Sequence, residues 1–561
     1  MRFLFLFFLA AAPAFGARVI CYWNGKSFWR DGTAKVTVED IKVGASLCTH
    51  LIYGFATIDN DDYHIEPIDK KLDLDKGKGQ WRAVASLKNS QPGLSVLLSV
   101  GGYEDLKNEK YFEVLEKPER RTKFINTVVS LLREFKFDGI DLAWQFPPQH
   151  EKYETTSIKS MWHKVLKTFG AGVDSLAIEH RDQFVALCRE LKAQLRPDGK
   201  LLSIGLLPHV NSTTYMDVRS LMPYVDMVNL WAVDFRTPDR APHKADYVHP
   251  LVFLYPRLPH QNVEAVVRHW LDHGAEPQKL NLGIATWGRS WKLNEDSVLS
   301  SGTPPVIASG PGEKGPHTKT AGLLAYYEVC IKLVSPTNPT APAGMLRKVS
   351  DPERKMGAYA FRLPDQRAGE SEGLWVGFEE PDTAAAKALY AKGRGLGGVA
   401  ILDLGLDDSR GICDGNRYPI TRAAKLSLDN IGGISTILPA QPAFPVQPPY
   451  NGAPSQSYIG VPQPPYSGVP PQPSYGNVQL PQPGYGNIQP AQPAYGGVPQ
   501  PGYGGVQTPQ QGFGGVQSPQ QGFGGVQPPQ QGFGGVQPPQ PGFNYTPNRT
   551  QIIYSPSHNG R

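Results

Sequence analysis

The chain has 561 residues, 59 of them Gly and 53 Pro, about one in five and well above the ordinary share of about 12%. Its 56 basic and 51 acidic residues leave a net charge of only +5, which gives no reason to invoke nucleic acid, and no charged residue falls between Asp429 and Arg549. A uniform globular protein is excluded: a large folded body precedes an uncharged low-complexity tail.

In chain order, Met1-Arg2 leads into an apolar run over 3–12 and a small-residue exit at 13–17. This reads as a secretory signal peptide over 1–17. The run is too short to span a bilayer and no other segment reaches 18 apolar residues, so an extracellular protein with no membrane span is expected. Short apolar runs follow at 19–23, 50–56, 94–100, 137–144, 201–207, 225–231, 280–286 and 398–402. They are mostly unbroken in Val, Ile and Leu, as strands buried on both faces are. Amphipathic helical stretches such as 120–135, 177–195 and 262–273 lie between them. The basic cluster 117–123 reads as a solvated helix face.

Eight strand–helix units in series predict an α/β fold, a (β/α)8 TIM barrel, over 18–434. The long gap between the seventh and eighth strands predicts a small α+β insertion domain at about 293–373. The remainder, 435–561, repeats an aromatic followed by small residues, Val or Ile, Gln and Pro. The aromatics stand at Tyr475, Tyr485, Tyr495, Tyr503, Phe513, Phe523, Phe533 and Phe543. Such a composition offers no packed core, so a disordered tail is expected, acting as a spacer or through aromatic contacts with a matrix.

Export permits disulfides among Cys21, Cys48, Cys188, Cys330 and Cys413, and five cysteines leave at least one thiol unpaired. Cys188 sits on the apolar stripe of a helical segment and reads as a buried free thiol. No His/Cys spacing matches a zinc site, and neither metal nor cofactor is expected. Sequons begin at Asn211, Asn544 and Asn548; Asn211, in a loop of the folded body, is the best glycosylation candidate.

The segment Phe137-Asp138-Gly139-Ile140-Asp141-Leu142-Ala143-Trp144-Gln145-Phe146-Pro147 ends the fourth strand, on the face where a barrel carries its active site. Strand alternation points Asp141, Ala143 and Gln145 inward. The segment resembles the Asp-Gly-x-Asp-x-Asp-Trp-Glu signature of the family 18 glycoside hydrolases, the chitinases. Cys21-Tyr22, Tyr53-Gly54-Phe55-Ala56, Ser99-Val100-Gly101-Gly102, Gly288-Arg289 and Gly397-Gly398 match in order, and the resemblance spans about residues 18–420.

The resemblance implies a substrate-assisted mechanism in which a Glu protonates the leaving oxygen and an Asp two residues earlier holds the acetamido group. Gln145 stands at the acid's place, and a carboxamide has no proton to give near neutral pH. Ala143 stands at the positioning Asp's place. The family's Met-Thr-Tyr-Asp is replaced by Trp231-Ala232-Val233-Asp234, and Leu402 occupies the place of the Trp under the sugar ring. The degenerate site of Asp138, Asp141, Ala143 and Gln145 therefore predicts a protein that is not an enzyme. Asp138 and Asp141 are expected to persist as structural residues hydrogen-bonded inside the barrel.

With Asn211-Ser212-Thr213 and Ala245-Asp246-Tyr247, the pattern is similar to the imaginal disc growth factors, secreted and catalytically silent insect chitinase-like proteins. That resemblance implies disulfides Cys21–Cys48 and Cys330–Cys413. It also implies growth-factor-like promotion of cell proliferation and motility alongside insulin-like signalling, through an unidentified cell-surface receptor. The alternative is a chitin- or GlcNAc-glycan-binding component of cuticle or matrix. Its sugar contacts would come from Tyr22, Phe55, Trp144, Trp231, Asp234, Trp287 and Arg289.

Overall fold

The computed structural model describes residues 17–429 except 60, 107, 109, 147–173, 301, 334–344 and 366–371. The expected signal peptide (but for Ala17), the repeat tail, Pro147, Asn544 and Asn548 lie outside the described residues.

Eight strands form the centre: β1 Arg18–Asn24, β2 His50–Ile58, β3 Ser95–Gly101, β4 Gly139–Ala143, β5 Leu201–Leu206, β6 Met227–Leu230, β7 Leu280–Ala285 and β8 Gly398–Leu402. Each pairs in parallel with the next, and β8 pairs back onto β1, so the sheet closes with no free edge. All eight strands fall where the apolar runs predict them. β4 and β8 are buried at every position, which is why their sequences read as continuous apolar runs rather than alternating ones.

The helices seal the barrel's outer face. In α1, Pro118–Phe135, proline occupies the first turn, and Phe124, Ile125, Val128, Leu131, Leu132 and Phe135 form the buried stripe. The spacing is that of one helical face. Lys136 ends the helix in the left-handed region at φ 63°. In α2, Ala177–Leu195, Phe184, Leu187, Cys188, Leu191 and Leu195 do the same. Cys188 is unpaired and buried, and burial pushes its thiol up, away from the reactive thiolate.

Between β7 and β8 stands an antiparallel sheet in which Trp287–Leu293 pairs with Gly373–Phe378, followed by Ala358–Arg362 and Arg347–Val349. Leu323–Ala325 also pairs with Trp287–Leu293. The sheet is thus wider than the 293–373 expected from sequence. Trp287 follows β7 after a single residue, so the first strand reads as an extension of the barrel run. The stem of the insertion is held by Trp291 edge-on to Trp375 at 5.6 Å. Disulfides join Cys21 to Cys48 and Cys330 to Cys413. The first ties β1 to the foot of β2, and the second ties the insertion to the segment after β8.

Candidate functional site

The bore of the barrel carries a buried polar chain. Arg18 Nε donates to Asn281 Oδ1 at 3.1 Å, and Asn281 Nδ2 donates to Asn229 Oδ1 at 2.8 Å. Asn229 Nδ2 reaches Ser203 Oγ at 2.9 Å and the Tyr22 hydroxyl at 2.8 Å. Tyr22 and Ser99 in turn donate to Asp141 Oδ2 at 3.1 and 2.8 Å. Asp141 has no exposed surface. Burial pushes its carboxyl above the ordinary range, opposed by hydrogen bonds from Ser203, Ser99, Tyr22 and Asn229. It is buried and hydrogen-bonded inside the barrel.

Asp138 is not. It stands one residue before β4, half-buried at the opposite end of the strand, where it accepts from Val96 N at 2.8 Å and from Lys88 Nζ at 2.5 Å. It pins the foot of β3 to β4 and is not among the groups in the bore.

Toward the mouth, the Ala143 side chain is a methyl group beside the bare Cα of Gly205, where a Cβ would lie 3.5 Å away. Gln145, only 5% exposed, donates its Nε2 hydrogen to the Gly102 carbonyl. Gly101 and Gly102 have φ of 100° and 71°. A Cβ on the first would collide with the Ala143 carbonyl, and one on the second with the Phe55 ring. This close approach lets the end of β3 fold against β4, and it is why that position needs two glycines.

The aromatic candidates separate into two groups. Tyr22, Trp231 and Trp287 stand at the mouth but are only 2, 4 and 5% exposed. Tyr22 packs edge-on to Trp231 at 5.0 Å, and Tyr103 packs tilted against Trp231 at 5.6 Å. Phe55, half-buried, lies against Gly102. Trp144 is elsewhere. It points away from the bore into the helix layer, against Tyr111 at 4.9 Å, Phe124 at 5.7 Å and Phe184 at 6.0 Å. Alternation dictates this, because its neighbours Ala143 and Gln145 face inward. Trp144 is a core residue and cannot touch a ligand in the barrel.

Asp234 accepts from Trp287 Nε1 at 3.0 Å and from Arg289 Nε at 3.0 Å and Nη2 at 2.5 Å. Burial alone would push its carboxyl up, but the Arg289 charge and these hydrogen bonds bring it down to about 2. Its backbone N–H donates to His249 Nδ1 at 2.9 Å, an imidazole that burial keeps neutral, down at about 4. Both Asp234 and Arg289 are consumed by this pair, which locks the loop after β6 onto the first strand of the insertion. Leu402, 1% exposed, fills the bore beside Gly283.

Sequence reasoning misses Tyr103, His249 and Asn229, and takes Asn281 only as part of the matching motif Asn281-Leu282-Gly283-Ile284. Tyr103 directly follows the Gly101-Gly102 motif and is visible there. His249 and Asn229 carry no local signal, because each acts through a partner distant in sequence. Asn211 caps the short helix Ser212–Tyr215, its Oδ1 accepting from Thr213 N at 3.1 Å. No helix among the described residues is long and apolar enough to cross a membrane.

Comparison with known proteins is consistent with this geometry. The family model for glycosyl hydrolases family 18 matches residues 18–407. "Chitinase-like protein EN03" of Bombyx mori is 46% identical over 428 residues, covering 75% of this chain and 98% of that protein. "Imaginal disk growth factor 6" of Drosophila melanogaster is 41% identical over 428 residues, covering 73% and 93%. Among solved structures, the group II chitinase catalytic domain 2 of Ostrinia furnacalis has a TM-score of 0.62 at 25% identity, covering 75% of this chain and 99% of that one. Human YKL-39, described as a pseudo-chitinase with retained chitooligosaccharide binding properties, has a TM-score of 0.59 at 27% identity, covering 74% and 100%. The chain therefore belongs to glycosyl hydrolase family 18, among the insect chitinase-like proteins that include the imaginal disc growth factors.

Proposed function

We propose that this is a secreted, non-hydrolysing chitinase-like protein that acts as a growth-factor-like signal, through a cell-surface receptor and alongside insulin-like signalling. The observation that carries the reading is the end of β4. The positions where the family's mechanism needs an acid and an acetamido-positioning carboxylate hold Gln145, whose carboxamide only donates a hydrogen bond to a backbone carbonyl, and Ala143. Removing one general acid typically costs 10²–10⁴-fold in rate, and here the positioner is absent as well. The names of the relatives support the signalling half, and the two disulfides suit an oxidising, extracellular compartment. Asn211 is proposed to carry a glycan; its Oδ1 makes the cap.

A second reading, glycan binding without cleavage, draws on human YKL-39 and on the polar groups kept at the mouth. The tight packing of Tyr22, Trp231 and Trp287 argues for weak affinity at most. The test is calorimetric titration of chitohexaose into the full chain, with product analysis, beside cell counts of insect cells given the protein with and without insulin. Expected are no cleavage, millimolar or absent sugar binding, and insulin-dependent growth. Cleavage products would overturn the reading. Micromolar binding with no growth effect would replace signalling with the glycan-binding alternative.

A further inference from the structure

The helix α3, Val263–Asp272, packs Val263, Val267 and Trp270 into the barrel's core, and two imidazoles meet at its C-terminal end, from His269 and the capping His273. His269 and His273 are four residues apart, so they project from one face of the helix, and their rings stand 4.2 Å apart at 42°. His273 Nδ1 lies 2.7 Å from the His269 carbonyl. A carbonyl only accepts, so Nδ1 carries the hydrogen and Nε2 carries the lone pair. His269 Nε2 is buried and has no hydrogen-bond partner. A buried, unpaired ring nitrogen costs free energy that a ligand would recover.

We propose that His269 and His273 form a two-imidazole site for a borderline divalent transition-metal ion. Four features of the site agree with this. A ring N–H held by a backbone carbonyl, with the other nitrogen free, is the arrangement that orients metal-binding histidines. Histidines at i and i+4 on one helix face are a recognised metal-binding spacing. Two imidazoles sharing one ion at about 2.0–2.1 Å per nitrogen place their centroids about 4.5–5 Å apart, so the rings need part by less than about 1 Å. The C-terminal end of a helix favours positive charge.

Burial and the neighbouring His273 hold the His269 imidazole below its ordinary range, while Asp272 acts the other way; the neutral ring is the form that binds metal. Imidazole pairs suit Cu, Ni and Zn rather than the harder alkaline-earth ions. The cluster of Asp59, His64 and Glu66 is a poorer candidate, because Lys70 Nζ already sits 2.6 Å from Glu66. The site departs from the expectation of no metal: both histidines lie on the expected helix 262–273, but the meeting of their rings and the unpartnered His269 Nε2 are seen only in the structure.

The test is titration of Cu²⁺ alone into the full chain, in buffer containing glycine to compete for weak surface sites. It is followed by calorimetry and by electron paramagnetic resonance. One ion bound with two-nitrogen hyperfine structure is expected. Both His269→Asn and the exposed His273→Gln should bind at least 10-fold more weakly, and Glu66→Gln should bind as the parent does. His273→Gln is solvent-facing and keeps the test interpretable if His269→Asn folds poorly. Equal affinity in His273→Gln and the parent, or no stoichiometric binding by the parent, would overturn the assignment.

Discussion

Restoring a carboxylic acid at Gln145 tests the account of the site most directly. In Gln145→Glu the new side chain has nearly the same shape but faces the Gly102 carbonyl, to which Gln145 now donates. Ionised, it would set two acceptors against each other in a place only 5% exposed. Protonated, it keeps the hydrogen bond. The folded state should therefore hold the proton more tightly than the unfolded chain, and buried carboxyls are commonly raised by two pH units or more. A rise of about two pH units is worth about 2.7 kcal/mol.

The sign follows from linkage. A raised pKa in the folded state leaves the variant near parental stability below about pH 4, and the penalty grows as pH rises through the folded pKa. Urea unfolding of parent and variant at pH 4 and pH 7.5 measures this, with chitohexaose turnover assayed in parallel. The expected result is a loss of about 1–3 kcal/mol at pH 7.5 that shrinks at pH 4, with no turnover, because the proton is directed to a backbone carbonyl and Ala143 cannot hold an acetamido group. A pH-independent stability difference would refute the hydrogen-bond assignment. Measurable turnover would refute the account of the site.

Two further outcomes are expected. Asp234→Asn breaks the buried pair with Arg289, and removing one partner of such a pair costs about 3–5 kcal/mol. The parent's carboxyl, down at about 2 against an ordinary 3.8, supplies about 2 kcal/mol that is present above about pH 5 and lost as pH falls toward 2. Chemical unfolding between pH 2 and 7 should show this acid-labile increment in the parent only, and its presence in both would sink the assignment. Replacing Cys330 and Cys413 together by Ser frees a loop with a sequence separation of 83, for which chain entropy predicts a loss of up to about 4.6 kcal/mol. Unchanged unfolding midpoints would show that the bond does not constrain the insertion.

The barrel was legible because its strands are buried on both faces, so their composition alone separates them from the helices between. Periodicity also places Asp141 in the bore, and the sugar-contact role expected of Trp144 conflicts with it. The same alternation that turns Ala143 and Gln145 inward sends that indole into the helix layer. The edge of the insertion is hidden in the sequence because Trp287 and β7 form one apolar stretch, broken by a single residue at which the chain changes sheets. Nothing local to the sequence reveals that Asp234 is consumed by Arg289, 55 residues away, or that Asn281 and Asn229 carry a polar chain across the bore.

What the site keeps and what it lacks follows from who each residue's partner is. Asp141 and Asp234 are acids in the family pattern that remain here, and both are buried with partners inside the protein. Removing either would leave hydroxyls or a guanidinium unsatisfied in the interior, at about 1–3 kcal/mol for a neutral group and more for a charge. Two of the positions that depart from the family pattern, Ala143 and Gln145, are those whose partner, as the resemblance implies, is the substrate itself. Nothing in the fold depends on a carboxylate there: the methyl of Ala143 meets Gly205, and the carboxamide of Gln145 finds a backbone carbonyl. The proposed loss of chemistry at this face therefore carries no cost to the barrel, whose fold does not depend on a carboxylate at either position.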